Sequence, residues 1–213
     1  MPRRTDSRSR MIDAAYELFR LNGYHATAVS DVVEQRGAPR GSIYFHFPGG
    51  KRELARETIA MAGDEIEEMV DQAASQAHDP ASLIRALAQI QVQRLERSGY
   101  CSGCAIATMV LELAPMDEGL SAEFYRVFAR WRSALVDRFE HWGMAPERAI
   151  ALADLVISTF EGALVLSRAA RSSKPFWSTI DALINLLHHD AGYQPAAPRT
   201  RNRHQSARLP AQQ

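Results

Sequence analysis

Gly41-Ser42-Ile43-Tyr44-Phe45-His46-Phe47 sets hydroxyl, imidazole and aromatic side chains into one short stretch bounded by helix breakers. Pro39 lies just upstream, where the first turn of a helix tolerates proline, and Pro48-Gly49-Gly50 follows directly. The spacing predicts a very short helix ending at Phe47. Ile43, Phe45 and Phe47 are expected to pack inward, with Tyr44 and His46 left outside.

Upstream, Val29, Val32 and Val33 make one apolar face behind Thr27, a good N-cap residue, and Gly37 ends that segment. Further back, Ile12, Ala15, Leu18 and Phe19 recur at helical spacing until Asn22-Gly23 stops them. Residues 1–9 are polar, Arg-rich and expected to be flexible. Three short helices with a glycine turn between the second and third form a helix-turn-helix. In it the third helix enters the major groove of DNA, N-terminal residues toward base edges. Those residues are Arg40, Gly41 and Ser42. An arginine there can grip guanine O6 and N7 together, a pairing worth about 1–3 kcal/mol of discrimination. Tyr44, His46 and Lys51 suit phosphate oxygens, as do the backbone amides at Thr27.

Charge supports a DNA-binding head. The whole chain has zero net charge, yet residues 1–56 hold ten arginines and lysines against six acids, a balance of +4 that leaves −4 for the remainder. A basic head on an acidic body is the asymmetry expected when only the head meets phosphate. No apolar stretch is expected to approach the roughly 20 residues that span a bilayer. The Arg-rich N-terminus lacks the apolar region of a signal peptide, so the expected location is cytoplasmic.

After residue 50 the chain reads as helices throughout, with no alternating strand pattern, so the expected class is all-α. The reading divides it into a DNA-binding domain over 1–50, a ligand-binding and dimerisation domain over 51–190, and a disordered tail over 191–213. Phe124, Phe128 and Trp131 lie on one stripe. With Met109, Leu113 and Phe160 they are candidates to line an apolar pocket, and Glu161 is a candidate polar anchor in it. Aromatic stripes at this spacing also build ordinary cores. The segment from Pro146 is apolar on two faces, so both must be covered. Leu152, Leu155, Val156 and Thr159, with Phe176, Ile180, Leu183, Ile184 and Leu187 of the last helix, are the expected intersubunit surface.

The head is similar to TetR-type transcriptional regulators. The matching residues are Asp13-Ala14-Ala15-Tyr16-Glu17-Leu18-Phe19, Gly23-Tyr24, Thr27, Asp31-Val32 and the run from Gly41 to Phe47. Pro48-Gly49-Gly50-Lys51, Glu53-Leu54, Gly103-Cys104 and Leu111-Glu112 resemble the LmrA/YxaF-like branch. The resemblance implies a homodimer, a palindromic operator in double-stranded DNA and a small-molecule inducer, with the stripe cluster as its pocket. It assigns Thr27, Tyr44, His46 and Lys51 to the DNA backbone, and Arg40, Gly41 and Ser42 to bases. Ser30 departs from the pattern: many relatives carry a base-reading arginine there, which shifts direct readout toward Arg40.

Four functions compete. The leading one is a dimeric repressor released from its operator by an apolar or aromatic molecule. The second is a thiol-based redox-sensing regulator using Cys101 and Cys104, whose spacing fits half a zinc site or a redox pair but is equally that of a small residue packing at a helix start. An enzyme on a helical bundle finds no Glu-x-x-His set, nucleophile elbow or phosphate loop, and neither a metal nor a cofactor is expected. A DNA-architectural dimer would need no pocket.

Overall fold

The computed structural model describes residues 4–35, 42–114 and 116–189, with side chains from Ser7 onward. Among these residues there are nine helices and no strand. The expected all-α class holds.

Helix α1 (Arg4–Asn22) begins six residues before Arg10, so the stretch expected to be flexible is helical from Arg4. It closes on Gly23, whose φ of 87° is a left-handed value that glycine adopts without strain. Helices α2 (Val29–Gln35) and α3 (Ser42–His46) complete the head. The turn between α2 and α3, with Gly37, Pro39, Arg40 and Gly41, lies outside the described residues.

The body holds α4 (Gly50–Ala74), α5 (Pro80–Arg97), α6 (Ala105–Leu113), α7 (Glu118–His141), α8 (Pro146–Ala170) and α9 (Lys174–His189). Local chemistry sets their ends. Asp79 accepts from Ser82 N–H at 2.7 Å while Ser82 Oγ accepts from Asp79 N–H, a reciprocal cap on α5. Asp117 caps α7 through Leu120 N–H at 3.0 Å. Cys104 caps α6, its sulfur accepting from Ala107 N–H at 3.4 Å.

Helices α4 and α7 run parallel. Arg52 pairs with Asp117, Arg130 with Asp64 and Glu67, and Arg138 with Asp71, at a nearly constant offset of 63 to 67 residues. Such partly exposed pairs each stabilise by about 0–1 kcal/mol and chiefly fix register. The attraction that joins the helices is burial of the apolar faces beneath them.

Buried apolar residues form two clusters. One unites the head with the base of the body: Phe19, Val32, Ile43 and Phe47 are continuous with Leu54 and Ile59 of α4, Met109 of α6 and Phe124 of α7. The core therefore does not break at residue 50. The second joins the far half of α4 to α5, α8, α9 and the end of α7.

Helix α8 corrects the expectation about membrane-length segments. By length and composition alone its 25 residues could cross a bilayer, with mean hydropathy 1.9 over the most apolar window. In the fold it packs on α7 and α9, and a third of that window is buried.

Candidate DNA-binding face and ligand cavity

On α3 and just after it, Ile43 and Phe47 are buried as expected, but Phe45 is 64% exposed. The expectation for Phe45 used a two-residue alternation that belongs to strands. At 100° per residue, positions 43 and 47 share a face and 45 points away. Phe45 therefore stands outside beside Tyr44, edge-on to the His46 ring at 5.2 Å. Ser42 and His46 are half-buried at the same surface. Lys51 reaches the same end of the head, its Nζ 4.2 Å from the Tyr24 ring centroid.

Thr27 is not on that surface. Its side chain is 1% exposed and its hydroxyl donates to Gly23 O at 2.8 Å, tying it to the end of α1. The cap of α2 comes instead from Asp31, which accepts from Ala28 N–H at 2.8 Å. Thr27 N–H is also engaged, donating to Tyr24 O. Neither its hydroxyl nor its amide is placed to hold phosphate. Ser30 sits half-buried on α2 with Oγ 3.4 Å from Asp31 Oδ1.

Above this face the body grips the head. Glu112, near the end of α6, accepts from Tyr24 N–H at 3.2 Å and His25 N–H at 2.6 Å. Arg52 makes two bonds to Asp117, 2.7 and 2.9 Å, and this guanidinium holds the Asp117 carboxyl far below the usual carboxylate range.

A cavity of about 90 Å³ lies where the two clusters meet. It is smaller than the roughly 150 Å³ apolar cavity that accepts benzene, so a drug-sized ligand must push side chains apart. Its walls include Tyr16 and Arg20 of α1, Ile66 and Met69 of α4, Leu87 and Arg94 of α5, and Val156 and Ile157 of α8. Of the candidate pocket residues, Trp131, Phe160 and Glu161 line it. Met109, Leu113 and Phe124 do not. They are buried in the head–body cluster, because the near ends of α6 and α7 pack on α1 and α4. Phe128 backs the wall, edge-on to Trp131 at 5.0 Å. Sequence reading missed the α1 wall entirely, since Tyr16 and Arg20 belong to a helix assigned wholly to the DNA head.

Glu161 and Cys104 meet in this cavity. Burial pushes the Glu161 carboxyl up to about 7, a shift that the Cys104 thiol, hydrogen-bonded to it, partly opposes. Burial and the neighbouring Glu161 drive the Cys104 thiol well above its ordinary value. A thiol so protonated is a poor nucleophile. Cys101 is exposed, and both cysteines are free. Burial, with Glu65 beside it, likewise raises the Tyr16 phenol. Among the described residues no group of three or more His, Cys, Asp and Glu side chains could hold a metal ion.

Of the expected intersubunit residues, Leu152, Val156, Phe176, Ile180, Leu183, Ile184 and Leu187 are buried in the protomer's own core. Leu155 is exposed and Thr159 half-buried. The uncovered face of α8 is instead Ala151, Leu155, Ser158, Gly162, Val165, Leu166 and Ala169, spaced by threes and fours, with Leu186 exposed on α9.

Comparison with known proteins bears on this arrangement of head, joint and cavity. Residues 11–58 match the family model "Bacterial regulatory proteins, tetR family", and residues 80–181 match "Transcriptional regulator LmrA/YxaF-like, C-terminal domain". An uncharacterized HTH-type transcriptional regulator of Mycobacterium tuberculosis is 37% identical, covering 84% of this chain and 93% of its own. The uncharacterized regulator YxaF of Bacillus subtilis is 31% identical over 82% of this chain and 92% of its own. The chain belongs to the TetR family of transcriptional regulators. A TetR-family regulator from Legionella pneumophila has the same fold, with TM-score 0.76 at 18% identity, covering 87% of this chain and 98% of that one. The family is one of DNA-binding transcriptional regulators and is not enzymatic.

Proposed function

We propose that this regulator is a homodimeric repressor that leaves a palindromic operator when an apolar small molecule enters the cavity between head and body. The observation that carries this reading is the α1 wall of that cavity: Tyr16 and Arg20 face the same space as Trp131 and Glu161. A ligand too large for the space displaces the head's first helix relative to the body.

Helix α6 supplies a second linkage. Its first residues, with the Cys104 cap, border the cavity, while Glu112 near its other end holds the turn before α2. Nine residues at 1.5 Å each make a rod of about 13 Å between the two. Ligand binding favours whichever arrangement of head and body it fits better, and DNA affinity falls by the same differential.

The operator surface is Ser42, Tyr44, Phe45, His46 and Lys51, with Ser30 on α2 and with Arg40 and Gly41, which directly precede Ser42 in the sequence. Two copies place their recognition helices about 34–36 Å apart, to meet successive major grooves. The exposed α8 stripe supports pairing, because Gly162 has no atom within 4 Å of the position a Cβ would take, leaving room for a partner helix. The thiol-sensing alternative loses support at Cys104, which is half-buried, held protonated and committed to a cap and to Glu161.

The test is a gel shift at fixed salt with DNA from upstream of the gene. A discrete complex is expected, lost in the Arg40→Ala, Tyr44→Ala double variant and released by some apolar compounds of a screening library. A complex unaffected by the double variant would refute the assigned surface.

A further inference from the structure

We infer that the cavity selects a ligand carrying a protonated amine on an apolar body, with the amine seated against Glu161. The inference deepens the proposed ligand-release function and rests on it.

The charges around the cavity are unevenly matched. Arg20 is paired with Glu17 at 2.6 Å and Arg94 with Glu65 at 2.8 Å, so both cations of the wall are already offset. Glu161 is not: its polar neighbour is the neutral Cys104 thiol, and among the described residues no arginine or lysine pairs with it. The rest of the wall near it is apolar, including Ile157, Phe160 and Leu164. A carboxylate in such surroundings is costly unless paired. An entering ammonium supplies the missing charge, whereas an entering carboxylate adds a second anion at the same point.

A second polar group of the wall adds a further requirement. The Trp131 indole N–H, on a side chain that lines the cavity, is buried and has no hydrogen-bond partner among the described residues. It can only donate, so it calls for an acceptor. An ether, hydroxyl or carbonyl oxygen on the ligand meets that need. The ligand class is therefore a lipophilic amine with at least one neutral oxygen.

The cavity also makes amine binding pH-dependent. The titratable and charged groups facing Glu161 are Tyr16 and Arg20 from α1, Arg94 from α5 and Cys104 at the start of α6, with Glu65 of α4 behind Tyr16. Burial raises both the Tyr16 phenol and the Cys104 thiol above their ordinary values, away from that of Glu161. Glu161 itself passes from mostly protonated to mostly ionised between pH 6 and 8.

Equilibrium dialysis of the full chain tests this with three probes that share a ring system: 1-naphthylmethylamine, 1-naphthalenemethanol and 1-naphthoate. At pH 8 the amine should bind about tenfold or more tighter than the alcohol, and the acid weakest. Glu161→Gln should erase the amine's advantage over the alcohol, bringing the ratio of their affinities to about one. Independently of any variant, amine affinity of the wild-type chain should fall about tenfold from pH 8 to pH 6, with alcohol affinity flat. Binding of the alcohol with no preference for the amine would overturn the head-group assignment and leave ligand release standing. Tightest binding by the acid would overturn it outright. Failure of all three probes to bind would overturn both the inference and the cavity reading beneath it.

Discussion

The Glu112 carboxylate occupies the space that a side chain at Gly23 would need, for a Cβ there would fall 2.1 Å from Glu112 Oε1. The two residues lie on opposite sides of the head–body joint. Absence of a side chain at Gly23 lets a body carboxylate reach the two amides that follow it, those of Tyr24 and His25. Hydrogen bonds to a charged acceptor are about twice as strong as neutral ones, so this contact fixes the turn that positions α2.

Glu112→Ala should cost about 1–2 kcal/mol of stability and weaken operator binding while leaving probe binding in the cavity intact. Glu112→Gln, which keeps one acceptor, should recover part of both losses. Gly23→Ala should lose more than about 1 kcal/mol through its left-handed φ alone, and must also expel Glu112. Urea unfolding and gel shift on the same samples separate the two effects.

Helix α3 and the residue that follows it offer a paired test. Phe47 is fully buried beneath Arg8, whose guanidinium carbon lies 5.0 Å from the ring centroid. Phe47→Ala should cost about 3–5 kcal/mol. Phe45→Ala should change stability by no more than about 0.5 kcal/mol, yet reduce operator affinity. Equal stability losses would show that both rings are core.

Glu161 gives a pH signature. Its folded value, about 7, is above the ordinary 4.5, so the folded state holds its proton more tightly than the unfolded state. The stabilisation that follows is complete below pH 4.5 and disappears as pH rises through 7. Over that window it amounts to roughly 1–3 kcal/mol. Glu161→Gln should flatten that part of the stability profile, measured by thermal melts between pH 5 and 8.

The outer stripe of α8 predicts the oligomeric state. Leu155→Glu, or Gly162→Leu in the middle of the stripe, should convert a dimer to a folded monomer in analytical ultracentrifugation. Leu152→Ala, by contrast, removes a core side chain and should lower stability by about 2–5 kcal/mol without dissociating the dimer.

Much of this was legible from sequence because the relevant signals are local. Glycine and proline marked the ends of most helices, and the run from Gly41 to Phe47 announced the head. What sequence missed was the sorting of apolar residues by partner. Leu155 and Val156 are neighbours on one helix, yet the first faces solvent and the second the cavity. Both read alike as apolar, since periodicity reports that a face is covered and not by what. Met109 and Trp131 likewise share a cluster, but only Trp131 reaches the cavity. Thr27 misled for another reason: a hydroxyl before a helix usually caps it, but here the end of α1 lies closer and takes the bond.

The central claim is that filling the cavity between head and body releases DNA. Ile157→Trp, which places a large side chain in that cavity without touching α3 or the α8 stripe, tests it most directly. Its affinity for the upstream operator fragment should be measured by gel shift against wild type, with ultracentrifugation and a thermal melt confirming a folded dimer. A loss of tenfold or more is the expected result. A folded, dimeric variant with unchanged or tighter operator binding would contradict the claim.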